Sequence, residues 1–455
     1  MPLPVWRGVY STGGMLKVEL LSVKICSICV ICGRHCHRLR YRLRHRNTYF
    51  MSNIINPFAR PLYVMAKPAG AHCNLACDYC YYLEKQKLYQ NGEKHVMSDQ
   101  LTEVFVREYI QSQFTREVNF TWHGGEPMIR PLDYYKKVVR WQRQYAEGRA
   151  ILNCLQTNGT LLTPEWCRFL HDEGWLVGIS IDGPQDMHDA YRTRHNGAPT
   201  WEKVMRAIEM LDRYQVEWNA MAVVNDITAS RPLDFYRFFR DELECMYLQF
   251  TPVVERIHRH ADGRHLAHVM DGEEYSLAPF SVTPEAWGEF LCTVFDEWYR
   301  NDVGKVFVQT FEATLANWVG VTPGVCTLSD WCGHAAVMEH NGDIYCCDHF
   351  VFPEYYLGNI RNRGILDMMN SERQTAFADM KTKGLPLQCK QCQWQFACHG
   401  ECPRNRFAKT KDGEPGLNYL CKGYQRFFKH SAPFMEQLKK DFLEREQAYQ
   451  NKIME

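Results

Sequence analysis

No run of apolar residues in this chain approaches the roughly 18 that a membrane-crossing helix requires. Met15–Cys32 comes nearest, but Lys17, Glu19 and Lys24 interrupt it and no small-residue cleavage site follows. Excess charge of one sign is missing too. Lys+Arg and Asp+Glu number 53 each, which removes the electrostatic footprint of a nucleic-acid or membrane-surface binder. No internal repeat is evident. The reading is a cytoplasmic protein, monomeric, engaging neither nucleic acid nor membrane. Compositional disorder is not expected either, because 45% of residues are hydrophobic and 23% charged. The 455 residues suffice for two or three domains.

Residues 1–50 stand apart. Nine Lys/Arg there (Arg7, Lys17, Lys24, Arg34, Arg38, Arg40, Arg42, Arg44, Arg46) face Glu19 alone. Cys26, Cys29, Cys32 and Cys36 have the C-x2-C-x2-C-x3-C spacing of bacterial ferredoxins, without the proline after the fourth cysteine or a second motif. We expect residues 1–54 to be a disordered extension or a start placed too far upstream, with Met51 leading into the organised chain.

What the sequence does hold is cysteine, 20 in all. In a reducing compartment clustered cysteines point to metal rather than to a disulfide scaffold. Cys73, Cys77 and Cys80 form one group. Nine more fall between Cys326 and Cys421. Cys154, Cys167, Cys245 and Cys292 are isolated and read as small buried hydrophobes.

Short apolar runs at Leu62–Lys67, Val118–Trp122, Leu152–Gln156, Leu176–Ile181, Trp218–Val224 and Tyr247–Thr251 predict buried strands. Helical spacing falls between them at Leu132–Tyr145, Pro164–Glu173, Trp201–Tyr214 and Pro232–Leu243. Thr163 before Pro164 and Ser230 near Pro232 supply helix-start chemistry. Six strand–helix units predict an α/β fold, a partial (β/α)6 TIM-type barrel over residues 55–255. Beyond it, His258–His268 reads as a histidine-rich surface loop, with a metal site at His258, His260, His265 and His268 as the less favoured alternative. Helices are expected at Pro284–Tyr299, Phe307–Trp318 and Ala432–Gln447.

Cys73-Asn-Leu-Ala-Cys77-Asp-Tyr-Cys80 directly follows the first strand. Electron-transfer cubanes use four thiolates. Three cysteines on one loop hold three irons and leave the fourth open to chelate a small molecule, as an open coordination position does elsewhere. A zinc loop completed by His72 or His123 is the alternative. This C-x3-C-x2-C loop resembles that of the radical S-adenosylmethionine superfamily. The resemblance implies that Cys73, Cys77 and Cys80 hold a [4Fe–4S] cluster whose open iron binds S-adenosylmethionine. It also implies cofactor contacts at Gly124, Gly125 and Glu126 (methionine amino group), Tyr79 and Val254 (adenine), Ser180 (ribose or carboxylate) and Arg192 (carboxylate).

Cys389-x2-Cys392-x5-Cys398-x3-Cys402 is too dense for chance. The downstream cysteines resemble the SPASM domain, a C-terminal cysteine-rich extension that binds two auxiliary iron–sulfur clusters, for three [4Fe–4S] clusters in all. That resemblance places Cys326, Cys332, Cys347 and Cys402 on one cluster and Cys389, Cys392, Cys398 and Cys421 on the other; structural zinc is the alternative. The implied division is a barrel over 55–255, a linking helical region over 256–320, a SPASM region over 321–430 and a C-terminal helix over 431–455.

Asn341-Gly-Asp-Ile-Tyr-Cys-Cys347-Asp348, with Met65-Ala-Lys-Pro68, Gln156-Thr-Asn-Gly159 and Gly416-Leu-Asn418-Tyr-Leu-Cys421, resembles the anaerobic sulfatase-maturating enzymes. The resemblance implies oxidation of the Cys or Ser in a sulfatase Cys/Ser-x-Pro-x-Arg motif to Cα-formylglycine, through Cβ hydrogen abstraction by a 5′-deoxyadenosyl radical. Asp348 would be the general base, partly desolvated to act near neutral pH. The sulfatase polypeptide would be the substrate partner and a flavodoxin or ferredoxin-type protein the reductant. The rivals are a SPASM enzyme that forms thioether or carbon–carbon crosslinks in peptides, an iron–sulfur redox-relay protein, and a zinc-stabilised interaction module.

Overall fold

A computed structural model describes residues 61–89, 95–258, 275–333 and 335–454. The first 54 residues, with Cys26, Cys29, Cys32 and Cys36, lie outside the described residues, as do His260, His265 and His268.

Six parallel strands stand in sequence order at the centre of a mixed ten-stranded sheet: β1 (Tyr63–Ala66), β2 (Glu117–Trp122), β3 (Ala150–Thr157), β4 (Leu176–Ser180), β5 (Glu217–Val224) and β6 (Tyr247–Pro252). Each anticipated apolar run falls on one of them, so the parallel α/β architecture expected from the alternation is the one formed. Intervening helices are α1 (Asp99–Gln111), α2 (Leu132–Tyr145), α3 (Pro164–Asp172), α4 (Trp201–Arg213) and α5 (Pro232–Arg237). Thr163 caps α3 by accepting from the Trp166 N–H, with Pro164 in the first turn. Ser230 does not cap α5. Its hydroxyl donates to the Ile227 carbonyl and closes the turn before it. Instead of reaching Leu243, α5 passes into a π-helical turn, Phe238–Glu242.

Helix α1 was not anticipated. Its signal was nevertheless present: Ser98 accepts from the Leu101 N–H, and Leu101, Phe105, Val106 and Tyr109 recur at helical spacing and are buried. Behind the sheet the Tyr135 ring meets Trp122, Trp166 and Trp175 edge-on at 5.9, 5.3 and 5.7 Å. Such aromatic pairs add about 0.5–1.5 kcal/mol each beyond area burial.

The sheet does not end at six strands. After an antiparallel pair, β7 (Arg256–His258) and β8 (Tyr275–Leu277), β9 (Phe307–Val308) pairs parallel with β6. The helix expected over Phe307–Trp318 therefore starts only at Gln309, as α7 (Gln309–Val319) follows α6 (Pro284–Asn301). An aromatic and a β-branched residue go to the open sheet edge first. On the opposite flank β10 (Ala335–Met338) pairs parallel with β1, and β11 (Asp343–Tyr345) and β12 (Tyr356–Asn359) continue antiparallel. This junction sets the downstream cysteine region against the loop that follows β1.

Helix α8 (Glu372–Lys383) lies in that region, and α9 (Cys421–Met454) closes the described chain. α9 is longer than the Ala432–Gln447 expected and runs through Pro433. The cost of one lost backbone hydrogen bond is offset by packing on α6, where Phe295 meets Phe427 at 5.8 Å and Phe434 at 5.9 Å. The two helices also meet glycine to glycine: a Cβ on Gly288 would lie 2.9 Å from Gly423 Cα. No helix among the described residues is long and apolar enough to cross a membrane.

Candidate active site and auxiliary cluster sites

The loop after β1 carries Cys73, Cys77 and Cys80, and segment 191–195 clamps it. Ala76 N donates to Thr193 O and Asp78 N to Tyr191 O, both at 2.9 Å, and Leu75 bridges Arg194. Burial pushes the Cys73 thiol up to about 12, the Glu126 carboxylate and the other two thiols adding to it; burial takes Cys77 to about 11. Cys77 and Cys80 both oppose ionisation of Cys73, and Cys80 that of Cys77, a costly arrangement without a cation. The donor set therefore fits a cluster: soft thiolates converge, and the Leu75 N–H and Asn158 amide point at the Cys73 sulfur at 3.4 and 3.7 Å.

The second strand delivers Gly124-Gly125-Glu126 against this loop. A Cβ on Gly125 would sit 2.2 Å from the His72 carbonyl oxygen, and Gly124 adopts φ +139° with Gly70 O in the same position. Both glycines are thus needed for the backbone of the cysteine loop to close on them. Glu126 is fully buried. Its oxygens accept from Met128 N, Thr157 Oγ1 and Asn158 N at 2.8–2.9 Å. The motif thereby ties β2, β3 and the cysteine loop together.

Tyr79 faces Asp182 and Arg192. Its hydroxyl donates to Asp182 and accepts from Arg192 Nη1 at 2.8 Å. Asp182 Oδ1 takes the Val223 N–H at 2.9 Å. Ser180, at the end of β4, accepts from Gln156 Nε2 at 3.1 Å. Val254 is buried in the main core just past β6.

Asp348 meets the cysteine loop from the other side. Its Oδ2 accepts from the Tyr81 hydroxyl at 2.8 Å, and Lys67 Nζ lies 3.8 Å away. The expected desolvation is present, with one fifth of the side chain exposed. Burial alone would raise this carboxyl, but His349, Lys67, His123 and the Tyr81 hydrogen bond together hold it below its ordinary range. It is therefore ionised at neutral pH, and a weaker proton acceptor than an ordinary aspartate. Lys67 is fully buried. Its ammonium sits over the Tyr82 ring at 4.1 Å and 3.2 Å from His123 Nδ1. Burial takes that imidazole down to about 3, so at neutral pH it is a neutral acceptor for Lys67.

The downstream cysteines separate into two groups. Cys326 and Cys402 both bear on Cys347, and Cys326 and Cys332 on Cys402. Cys389, Cys392, Cys398 and Cys421 line one cavity with Trp394 and Tyr424. Cys346 is fully buried in the main core. Cys347 alone of that pair faces the other thiols. Four cysteines around one cavity fit a four-thiolate centre.

The sequence agrees with this geometry. Residues 68–239 match the Radical SAM superfamily, and residues 326–393 match an iron–sulfur cluster-binding domain, SPASM. A serine-type anaerobic sulfatase-maturating enzyme of Bacteroides thetaiotaomicron is 62% identical over 387 residues, 85% of this chain and 93% of that protein. The chain belongs to the anaerobic sulfatase-maturating enzymes. A cysteine-type member from Clostridium perfringens is 30% identical over 376 residues, 82% of this chain and 97% of its own. The solved structure described as native anSMEcpe with bound AdoMet and Cp18Cys peptide superposes with a TM-score of 0.74 at 29% identity, covering 84% of this chain and 100% of that one.

This sulfatase-maturating enzyme is a radical S-adenosylmethionine oxidoreductase with iron–sulfur domains. Several residues that shape its site carried no separate signal in the sequence. Lys67 sat inside a quoted motif and His123 entered only as a ligand of the zinc alternative, while Asp182, Tyr81 and Arg404 did not stand out. A lysine closing an apolar strand, as Lys67 does in Met65-Ala-Lys-Pro68, is the pattern that could have drawn attention to it.

Proposed function

We propose that this chain converts a serine of a sulfatase Ser-x-Pro-x-Arg motif to Cα-formylglycine, with Cys73, Cys77 and Cys80 holding the catalytic [4Fe–4S] cluster and Asp348 as the base. The reaction class follows from membership of the family; serine over cysteine rests on the 62% identity to a serine-type member against 30% to a cysteine-type one. The observation that supports the base assignment is the position of Asp348, largely enclosed between Tyr81 and Cys347 with one fifth of its side chain exposed.

When bound, S-adenosylmethionine and the first cluster supply a 5′-deoxyadenosyl radical that takes a Cβ hydrogen, and the auxiliary clusters offer a place for the remaining electron. This chain's residues do the rest. Asp348 takes the hydroxyl proton as the carbon–oxygen bond becomes double. Tyr81 and Lys67 engage its Oδ2, and the Cys347 sulfur lies 3.6 Å from its Oδ1. Gly124, Gly125 and Glu126 hold the cysteine loop; Ser180, Arg192, Tyr79 and Val254 shape the cofactor end. Cys326, Cys332, Cys347 and Cys402 hold one auxiliary cluster and Cys389, Cys392, Cys398 and Cys421 the other, three clusters in all. A flavodoxin- or ferredoxin-type protein is the reductant.

The test is an anaerobic incubation with a reductant, S-adenosylmethionine and a Ser-x-Pro-x-Arg peptide, read by mass. Formylglycine formation and crosslinking both remove two hydrogens, so fragmentation that places the loss on the serine, with a carbonyl that a hydrazine reagent traps, supports the assignment. A peptide that instead gains an internal crosslink would point to the crosslinking reading.

A further inference from the structure

Helix α8 presents Gln374, Phe377, Ala378 and Lys381 along one buried face. An ammonium does not belong on such a stripe unless something compensates it. Lys381 is completely buried. Its nitrogen donates to three carbonyls, Cys326 O at 2.8 Å, Thr327 O at 2.9 Å and Glu401 O at 2.8 Å. All three N–H bonds are used, so the charge is fixed in place. Carbonyl dipoles solvate it but do not neutralise it. The nearby carboxyl, Glu401, accepts from Asn405 and Asn418 through Oε2 instead.

The cysteines around Lys381 come from both auxiliary sets: Cys326, Cys332 and Cys402 from one, Cys398 from the other. Arg406 reinforces it. The guanidinium donates to the carbonyls of Gly400, Met380, Lys381, His399 and Glu401 at 2.8–3.0 Å, and its charge reaches Cys332, Cys402 and Cys389. Two locked cations thus stand between two groups of four thiols. A cluster on four thiolates is anionic, and reduction adds one more negative charge. A fixed cation in a low-dielectric interior stabilises the reduced state more than the oxidised one.

We propose that Lys381 is a positioning residue for electron transfer: its fixed ammonium raises the reduction potential of the auxiliary clusters, so that they accept the electron the substrate gives up. That electron leaves the carbon-centred substrate radical as the hydroxyl proton passes to Asp348; one electron reduces one cluster and the carbon–oxygen double bond remains. The inference rests on the reading that both cysteine sets hold clusters, which iron analysis and the spectrum of the unsubstituted enzyme test separately.

Lys381→Met removes the charge at similar length. Potentiometric titration of the holoenzyme, followed by electron paramagnetic resonance, should show the auxiliary signals shifted to lower potential. At a fixed poise the reduced-to-oxidised ratio should fall at least tenfold, about 59 mV for one electron. The catalytic cluster's potential should not move. Formylglycine formed per 5′-deoxyadenosine should fall with it. Unshifted auxiliary potentials in a fully loaded variant would overturn the proposal. Should Lys381→Met fail to keep its iron, Lys381→Gln retains amide donors for the carbonyls without the charge and is read the same way. Loss of the auxiliary clusters in both neutral variants, with retention in Lys381→Arg, supports the requirement for charge; loss in all three assigns Lys381 to folding and overturns it.

Discussion

The Tyr81 hydroxyl donates to the Asp348 carboxylate at 2.8 Å, across 267 residues of sequence. Tyr81 follows Cys80 directly and Asp348 follows Cys347 directly. One hydrogen bond therefore ties the cluster loop of the barrel to the segment that feeds an auxiliary set. Arg404 strengthens the junction, its guanidinium over the Tyr81 ring at 4.9 Å and paired with Glu255 beyond β6. The proposed proton acceptor is held by the same two pieces of chain that carry Cys80 and Cys347.

Tyr81→Phe deletes the hydroxyl and keeps the ring that lies under the Arg404 guanidinium and meets His349 edge-on. A hydrogen bond to a charged group contributes about 1.5–3 kcal/mol, so formylglycine formation should slow by roughly tenfold or more. Formation of 5′-deoxyadenosine should persist, because the phenol does not act there. The ratio of the two products under anaerobic turnover decides it; equal slowing of both would assign Tyr81 to the cluster loop instead.

Asp348→Asn is isosteric but cannot take up the proton. General base catalysis is worth about 10²- to 10⁴-fold, so formylglycine should fall by that order while iron content stays that of the parent. A normal formylglycine yield would refute the role of Asp348 as base.

These two residues differ in how far the sequence revealed them. The convergence of Cys73, Cys77 and Cys80 was legible because spacing within one loop is a local property, and the three lie within eight residues. The six central strands were legible for the same reason, since each is a short apolar run of its own. Asp348 was reached only through resemblance. Tyr81 and Arg404 were out of reach, and so were the partners of Lys67, because the contacts come from distant sequence. The cause is topological: β10 pairs with β1, setting Tyr63 opposite Ala335, and no local pattern in either segment states that pairing. Lys381 lies between. Its place on the buried stripe of α8 is periodic and readable, whereas the carbonyls that receive it are not.

Gly125→Ala probes the cluster loop without touching a ligand. The new Cβ would lie 2.2 Å from the His72 oxygen and 2.5 Å from its carbonyl carbon. Backbone cannot yield as a flexible side chain can, so the cysteine loop must move. The expected result is loss of the catalytic cluster with the auxiliary ones retained. Mössbauer spectra and iron counts of the reconstituted variant give the answer; a full cluster complement with normal S-adenosylmethionine cleavage would mean that the loop has slack the structure does not show.

Glu312 on α7 gives a prediction away from the cysteine sites. Burial raises its carboxyl from 4.5 to about 7, with no other cause acting on it. Between those values the folded chain keeps a proton that the unfolded chain has released. Folding then takes up a proton, so this residue's contribution is fully present below 4.5 and is lost as pH rises through about 7. Glu312→Gln, which cannot ionise, removes the dependence. The variant's Tm should match the parent's near pH 4.5 and exceed it near pH 8, where the parent must keep a buried carboxylate charged. Every other titrating group is common to both proteins and cancels in the difference, provided it lies outside the immediate surroundings of Glu312. Calorimetric Tm curves that run parallel across this range would show that water reaches the Glu312 carboxylate and that its proton is released at an ordinary pH.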